Sequence, residues 1–350
     1  MSGLAVELRP FRLPLRVPLR TTHGEVRHRE GVLFGIDDGT HAGWGEAAPM
    51  PGWSSHDLPA AVDALAAVAA SMEVIDEVDD PRLEEILDEL EELPHARAAL
   101  AGALADIRAR ALGVSVAASL AHSPAPLVAV NALAAAPTPD GVAQECAAAL
   151  AAGYSTVKLK VGVAMPSVDR DRVAAARDAL GTTAGLRLDA NGAWDVDTAV
   201  ALLDDLAAHD VMWCEEPADG VEAIAAVGAR SAVPVAVDES CRSVDDIARA
   251  LGSGTIDVVV VKPQALGGPD LALRAIRLAT EVGATAFVTS MIDGAIGVAH
   301  AVHVAAAGGI DLAHGLGTSS LLADDVAPPL PVADGCIAVP DGPGLGVVPD

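Results

Sequence analysis

The chain is 350 residues long, 51% hydrophobic and only 2% aromatic, with a formal net charge of −27. That length buries a large core in one or two domains. The acidic balance excludes nucleic acid and anionic membrane surfaces as partners. Four scattered cysteines, Cys146, Cys214, Cys241 and Cys336, form no CxxC pair and read as reduced thiols of a cytoplasmic protein. No basic start followed by an apolar run opens the chain, so no secretory signal is expected. Residues 111–139 are uncharged, but Pro124, Pro126, Pro137 and Pro139 make them a helix end, a linker and a strand rather than a membrane span.

In chain order, residues 4–45 read as a meander of strands, with a polar, glycine-bearing loop at 20–24 and a second loop at 50–53. Apolar spacing is helical over 57–72, 80–93 and 95–112, so the first third is α+β. From 127 the texture changes. Valine-rich runs at 127–133, 156–161, 185–189, 211–215, 233–238, 257–262, 284–290 and 310–314 alternate with amphipathic stretches such as 168–180, 195–209, 244–251 and 269–282. Eight apolar strands with helical crossovers predict a parallel β/α barrel. A doubly wound sheet is the alternative, but no GxGxxG follows a first strand. The expected division is an α+β domain over 1–120, a barrel over 125–324, and a tail over 325–350 whose strand at 336–339 returns to the first domain.

The strand at 156–161 carries Lys158 and Lys160, which alternation puts on one face. Of 22 basic residues only three are lysines: these two and Lys262 at the end of another apolar strand. Wherever a positive charge alone suffices the chain uses arginine; lysine is the cation whose pKa falls far enough to move a proton. The other strands end on Asp189-Ala-Asn191, Glu215-Glu-Pro217 and Asp238-Glu-Ser240. Each piece alone reads as a helix cap, a polar strand end or a loop. Together they fall one β/α unit apart, at the barrel-strand ends where barrel enzymes keep their chemistry. Three neighbouring carboxylates need a cation, and an all-oxygen donor set suits Mg²⁺. Lysines flanking such a centre make a site for proton abstraction beside a carboxylate, so the expected partner is a small-molecule carboxylate. A Schiff-base aldolase also places lysine on a strand, but leaves the carboxylates unused; a catalytically dead barrel that only binds would not need the whole set.

With Lys158-x-Lys160, Asp189-x-Asn191, Glu215-x-Pro217, Asp238-Glu-Ser240 and Lys262-Pro263, the chain resembles the enolase superfamily, in its muconate-lactonising subgroup. The resemblance implies a capping α+β domain on a modified (β/α)₇β barrel. It implies that Asp189, Glu215 and Asp238 bind Mg²⁺, that Lys160 is the base, that Lys262 faces it across the substrate, and that Lys158 keeps Lys160 neutral and touches the substrate carboxylate. Asn191, Ser290, Gly315 and Thr22 would contact substrate, and loops 20–24 and 50–53 would close over the mouth. Within the subgroup the chain is most similar to the o-succinylbenzoate synthases, through Arg29-Glu-Gly31, the segment 43–49, the Lys262-Pro263 strand end and the Gly315-Leu-Gly317 turn. The activity this implies is a hydro-lyase step of menaquinone synthesis. The turn at 314–318 offers backbone N–H groups to an anionic arm where dipeptide epimerases carry Asp-x-Asp. Met291-Ile-Asp-Gly294 is closer to the racemase and lactonising members, which keeps N-succinylamino acid racemisation, or another racemase or cycloisomerase activity, open.

Overall fold

The first sheet is an antiparallel meander. Strands β1 (Ala5–Thr21), β2 (Gly24–Asp37) and β3 (Ala42–Ala47) pair in that order, with a register shift between Pro14 and Leu19. The computed structural model of the chain describes residues 3–21 and 24–350. Helices α1 (Leu58–Met72), α2 (Arg82–Glu89) and α3 (Pro94–Leu112) cover one face of this sheet. Asp57 starts α1 by accepting from the amide of Ala60. Val32, Phe34 and Ile36 of β2 form a core with Leu65, Leu100 and Leu104. Gly43 and Gly45 of β3 let α3 come very close: a Cβ on Gly45 would run into the carbonyl of Ala99.

After the short helix α4 (Val116–Leu120) and strand β4 (Leu127–Ala129) the barrel begins. Its parallel sheet runs β5 (Ala132–Ala134), β6 (Thr156–Lys160), β7 (Gly185–Asp189), β8 (Val211–Glu215), β9 (Val235–Val237), β10 (Val258–Val261) and β11 (Thr285–Val288), each beside the next. Helices α5 (Pro139–Ala151), α6 (Pro166–Leu180), α7 (Val196–Leu206), α8 (Val221–Gly228), α9 (Val244–Leu251), α10 (Pro263–Leu266), α11 (Pro269–Glu281) and α12 (Ala295–Ala307) make the crossovers and the outer layer. Valines, leucines and alanines of both layers merge into one large core.

The expected eighth strand at 310–314 is not a strand. Among the described residues the ring closes through two isolated bridges: His314 bridges Val130 and Gly315 bridges Thr289, both parallel. The chain then turns at Leu316 into a short 3₁₀ helix (Gly317–Leu321), so no longer ladder forms. The tail also differs from expectation. Strand β12 (Val332–Ala333) pairs with β13 (Cys336–Ala338), and β13 pairs with β4, not with the first sheet. The return to the first unit comes later, where Leu345 and Val347 pack with Leu33 and Trp44, and the amide of Leu345 donates to Asp106. No helix among the described residues is long and apolar enough to cross a membrane.

Candidate active site

Alternation along the strands brings the lysines and carboxylates to one end of the barrel interior. Lys160 pairs in register with Asp189, and Asp189 with Glu215. The ammonium of Lys158 lies 2.7 Å from Asp189 Oδ2 and 2.7 Å from Glu215 Oε2. Lys160 donates to Asp189 Oδ2 at 2.7 Å and to Asn191 Oδ1 at 2.6 Å. Across the site, Lys262 ion-pairs with Asp238 Oδ1 at 2.5 Å. All three carboxylates are buried.

These positions set the charges. Burial lowers the proton affinity of Lys158, but Asp189, Glu215 and Asp238 outweigh it and hold the pKa well above its ordinary value. Burial likewise opposes, and Asp238 and Glu239 overcome it, at Lys262. Asp189 is driven the other way: burial favours its neutral form, yet Lys158 and Lys160 together hold it below the usual carboxylate range. One ammonium does not neutralise two carboxylates, and Glu215 is the member whose pKa rises, through burial and the neighbouring Asp189 and Asp238.

Among the described residues, no three Asp, Glu, His or Cys side chains are gathered closely enough to hold an ion as they stand; the carboxylates lie on the lysines instead. The donor set nonetheless fits a hard divalent cation. It is all oxygen, a cationic group already sits between Asp189 and Glu215, and Glu215 Oε1 is buried with no hydrogen-bond partner.

Of the expected substrate contacts, Asn191 lies in the site at φ +44°, accepting from Lys160 and donating to Glu239 Oε1 at 2.7 Å. Ser290 is buried, its hydroxyl 2.6 Å from that of Thr318. The amide of Gly315 donates to Val288 O at 2.9 Å and that of His314 to Ala129 O at 2.8 Å. Those two N–H groups close the barrel and are not available to a substrate arm, so the expected contact from this turn would have to come from residues 316–318. Thr22 lies outside the described residues, as does His23 of the same loop. Loop 50–53 does reach the site: the Lys262 ammonium is 5.6 Å from the centre of the Trp53 ring.

The matching architecture is that of a known family. The family model "Enolase C-terminal domain-like" matches residues 141–350, more than half of the chain, and "MenC, N-terminal domain" matches residues 5–83. The chain belongs to the enolase superfamily. Among similar superfamily proteins, an o-succinylbenzoate synthase of Thermobifida fusca is 42% identical over 217 residues, covering 60% of this chain and 67% of its own. A hydrophobic dipeptide epimerase of Roseobacter litoralis is 30% identical over 355 residues, covering 99% of both chains. The solved structure of an N-succinyl Arg/Lys racemase from Bacillus cereus superposes with a TM-score of 0.91 at 23% identity, covering 100% of this chain and 96% of that one, a likeness of fold. The enzyme class is thus that of the superfamily, whose named members here carry out more than one reaction.

The sequence reading missed three residues. Arg187, two before Asp189, points into the same interior by alternation. It is fully buried, stacked 4.1 Å from the centre of Trp213 and 4.8 Å from that of Phe287, and donates to Ala313 O at 2.6 Å. A lone arginine inside an apolar barrel strand was the signal for it. Glu239 faces Asn191, and burial followed by the charge of Asp238 pushes its pKa up to about 7. Glu216 supports the loop after β9 by accepting from the amide of Asp238 at 2.8 Å and from the hydroxyl of Ser240, with its pKa raised to about 8 by burial and Glu239.

Proposed function

We propose that the protein is a Mg²⁺-dependent o-succinylbenzoate synthase, which eliminates water from 2-succinyl-6-hydroxy-2,4-cyclohexadiene-1-carboxylate. The observation that carries this reading is the bracket of lysines: Lys158 and Lys160 on one side of three buried carboxylates and Lys262 on the other, bonded to Asp238. The identity to the Thermobifida fusca synthase supports the choice of reaction.

Asp189, Glu215 and Asp238 would hold the Mg²⁺, which when bound supplies positive charge beside the carboxylate where electrons gather. Lys158 holds the substrate carboxylate. Lys160, in its neutral form, removes the proton from the ring carbon bearing that carboxylate. The electron pair moves into the ring and expels the hydroxyl, which takes the proton back from Lys160 on the same face and leaves as water. Lys262 faces the other side of the ring as a fixed positive charge. Aromatisation drives the reaction, so these residues contribute position and charge.

A racemase reading also draws support from the site. The same bracket serves a two-base exchange, in which Lys160 and Lys262 attack a substrate α-proton from opposite faces, and the similar Bacillus cereus structure is that of an N-succinyl Arg/Lys racemase. The purified protein with Mg²⁺ is to be assayed on the hydroxycyclohexadiene carboxylate, followed by ultraviolet absorbance, and on N-succinyl amino acids in D₂O. Rapid aromatisation is expected. Fast α-deuterium exchange without aromatisation would assign racemisation instead.

A further inference from the structure

Loop 50–53 was expected to close over the barrel mouth, yet the backbone of 48–54 is already bonded. The amide of Ala48 donates to Gln264 Oε1 at 3.0 Å, that of Met50 to Ser54 Oγ at 2.8 Å, and those of Trp53 and Ser54 to the carbonyl of Met50 at 3.1 and 3.0 Å. Residues 49 and 51 are prolines and have no amide to offer. The three bonds within residues 50–54 make the loop tip one rigid turn, and the Ala48 bond ties that turn to the barrel.

Three buried polar side chains tie this loop to the barrel. Arg29 of β2 is 1% exposed and has no carboxylate in ion-pair contact among the described residues. Its guanidinium donates to backbone carbonyls: Nη2 to Ala48, Nη1 to Pro49 at 3.3 Å, and Nε to Ile292 at 3.0 Å. Ile292 sits at φ +60°, a left-handed conformation that a β-branched residue avoids unless its surroundings impose it. Glu46 of β3 accepts from the amides of Gly294 at 2.7 Å and Gly297 at 2.9 Å, at the start of α12. Gln264, two residues beyond Lys262, donates to Glu46 at 3.2 Å while accepting from Ala48. The end of β10, the turn after β11 and the loop carrying Trp53 therefore meet on one set of buried hydrogen bonds.

We propose that Arg29, Glu46 and Gln264 are positioning residues: a buried strut that fixes Trp53 as a permanent wall of the site and sets its distance from Lys262. The strut touches no substrate. It rests on the reading of Lys262 as an active-site lysine, and it makes the 48–54 segment a fixed part of the site, with no opening step.

The test starts with wild-type protein. Native-state hydrogen exchange should find the amide of Ala48, the one bonded to Gln264, protected as strongly as those of β3; exchange at the rate of an open loop would overturn the proposal. Acrylamide quenching then reads Trp53, because Trp44, Trp194 and Trp213 are buried and Trp53→Phe isolates its contribution. Gln264→Leu and Arg29→Lys should raise the quenching constant of Trp53 at least twofold. In the same variants kcat should fall tenfold or more with KM changed less than threefold, since Lys262 is displaced and no substrate contact is lost. Folded variants with unchanged quenching, or with raised quenching and unchanged kcat, would contradict the strut. If the variants do not fold, the wild-type exchange rates decide alone. Should the wild type act on none of the carboxylates assayed, the functional reading fails, while exchange and quenching still decide the strut.

Discussion

Asp189 accepts from both Lys158 and Lys160, so removing its charge does more than empty a ligand position. Three neighbouring carboxylates without a cation would repel one another, and on that ground alone their loss would harm activity more than folding. The pairing changes that expectation. Asp189→Asn should destabilise the fold by about 3 kcal/mol, because it strands partly buried ammonium groups, and should also abolish Mg²⁺ binding; urea unfolding and calorimetric titration check the two effects separately. Lys262→Arg, in contrast, should keep a tenth or more of the wild-type turnover if Lys262 acts only as a charge. A loss as deep as that of Lys160→Arg, with folding intact, would mean that both lysines move protons, and the racemase reading would gain. These residues were legible because lysine is so scarce here and because strand alternation fixes which side chains share a face. Arg187 was signalled only as a lone arginine in an apolar strand; its enclosure by Trp213 and Phe287 depends on strands far apart in sequence.

Elements with regular apolar periods were readable, and their ends were not. The helix at 244–251 and the strands at 185–189 and 211–215 lie where the periodicity puts them. The segment at 310–314 has a strand's composition, yet only His314 and Gly315 are placed to bond to both neighbours. Ring closure is a tertiary fact that no local pattern encodes. The approach of β3 to α3 is of the same kind. The Gly-Trp-Gly run at 43–45 looked like a motif; its physical role is to let backbone lie against backbone. Gly45→Ala should therefore cost roughly 2 kcal/mol or more by forcing α3 away, measured as a lower unfolding midpoint, whereas Gly39→Ala, where a Cβ would meet nothing but φ is +85°, should cost only the backbone strain.

At the scale of the whole molecule, buried titratable groups pull stability in two directions. Burial lowers the pKa of His95 to about 3 and those of His300, His303 and His314 to about 4, from an ordinary 6.5. Their contribution is complete above about pH 6.5 and is lost as pH falls toward 4, because the unfolded chain binds those protons first. Burial, then the nearby Asp293, raises Glu46 from 4.5 to about 8, so its contribution is complete below about 4.5 and is lost as pH rises through 8. The melting temperature should therefore peak between about pH 5 and 7, and Glu46→Gln should flatten the alkaline side. The two-part layout was visible in the change of texture near residue 127; the strut between the parts was not, because Arg29, Glu46 and Gln264 meet only in three dimensions. The central claim is that Lys160 carries the proton. Its most direct test is the turnover of Lys160→Arg with Mg²⁺ on the hydroxycyclohexadiene carboxylate, with folding verified by circular dichroism. Arginine keeps the charge but does not deprotonate near neutral pH, so the account predicts a loss of about 10³-fold or more; turnover within tenfold of wild type would contradict it.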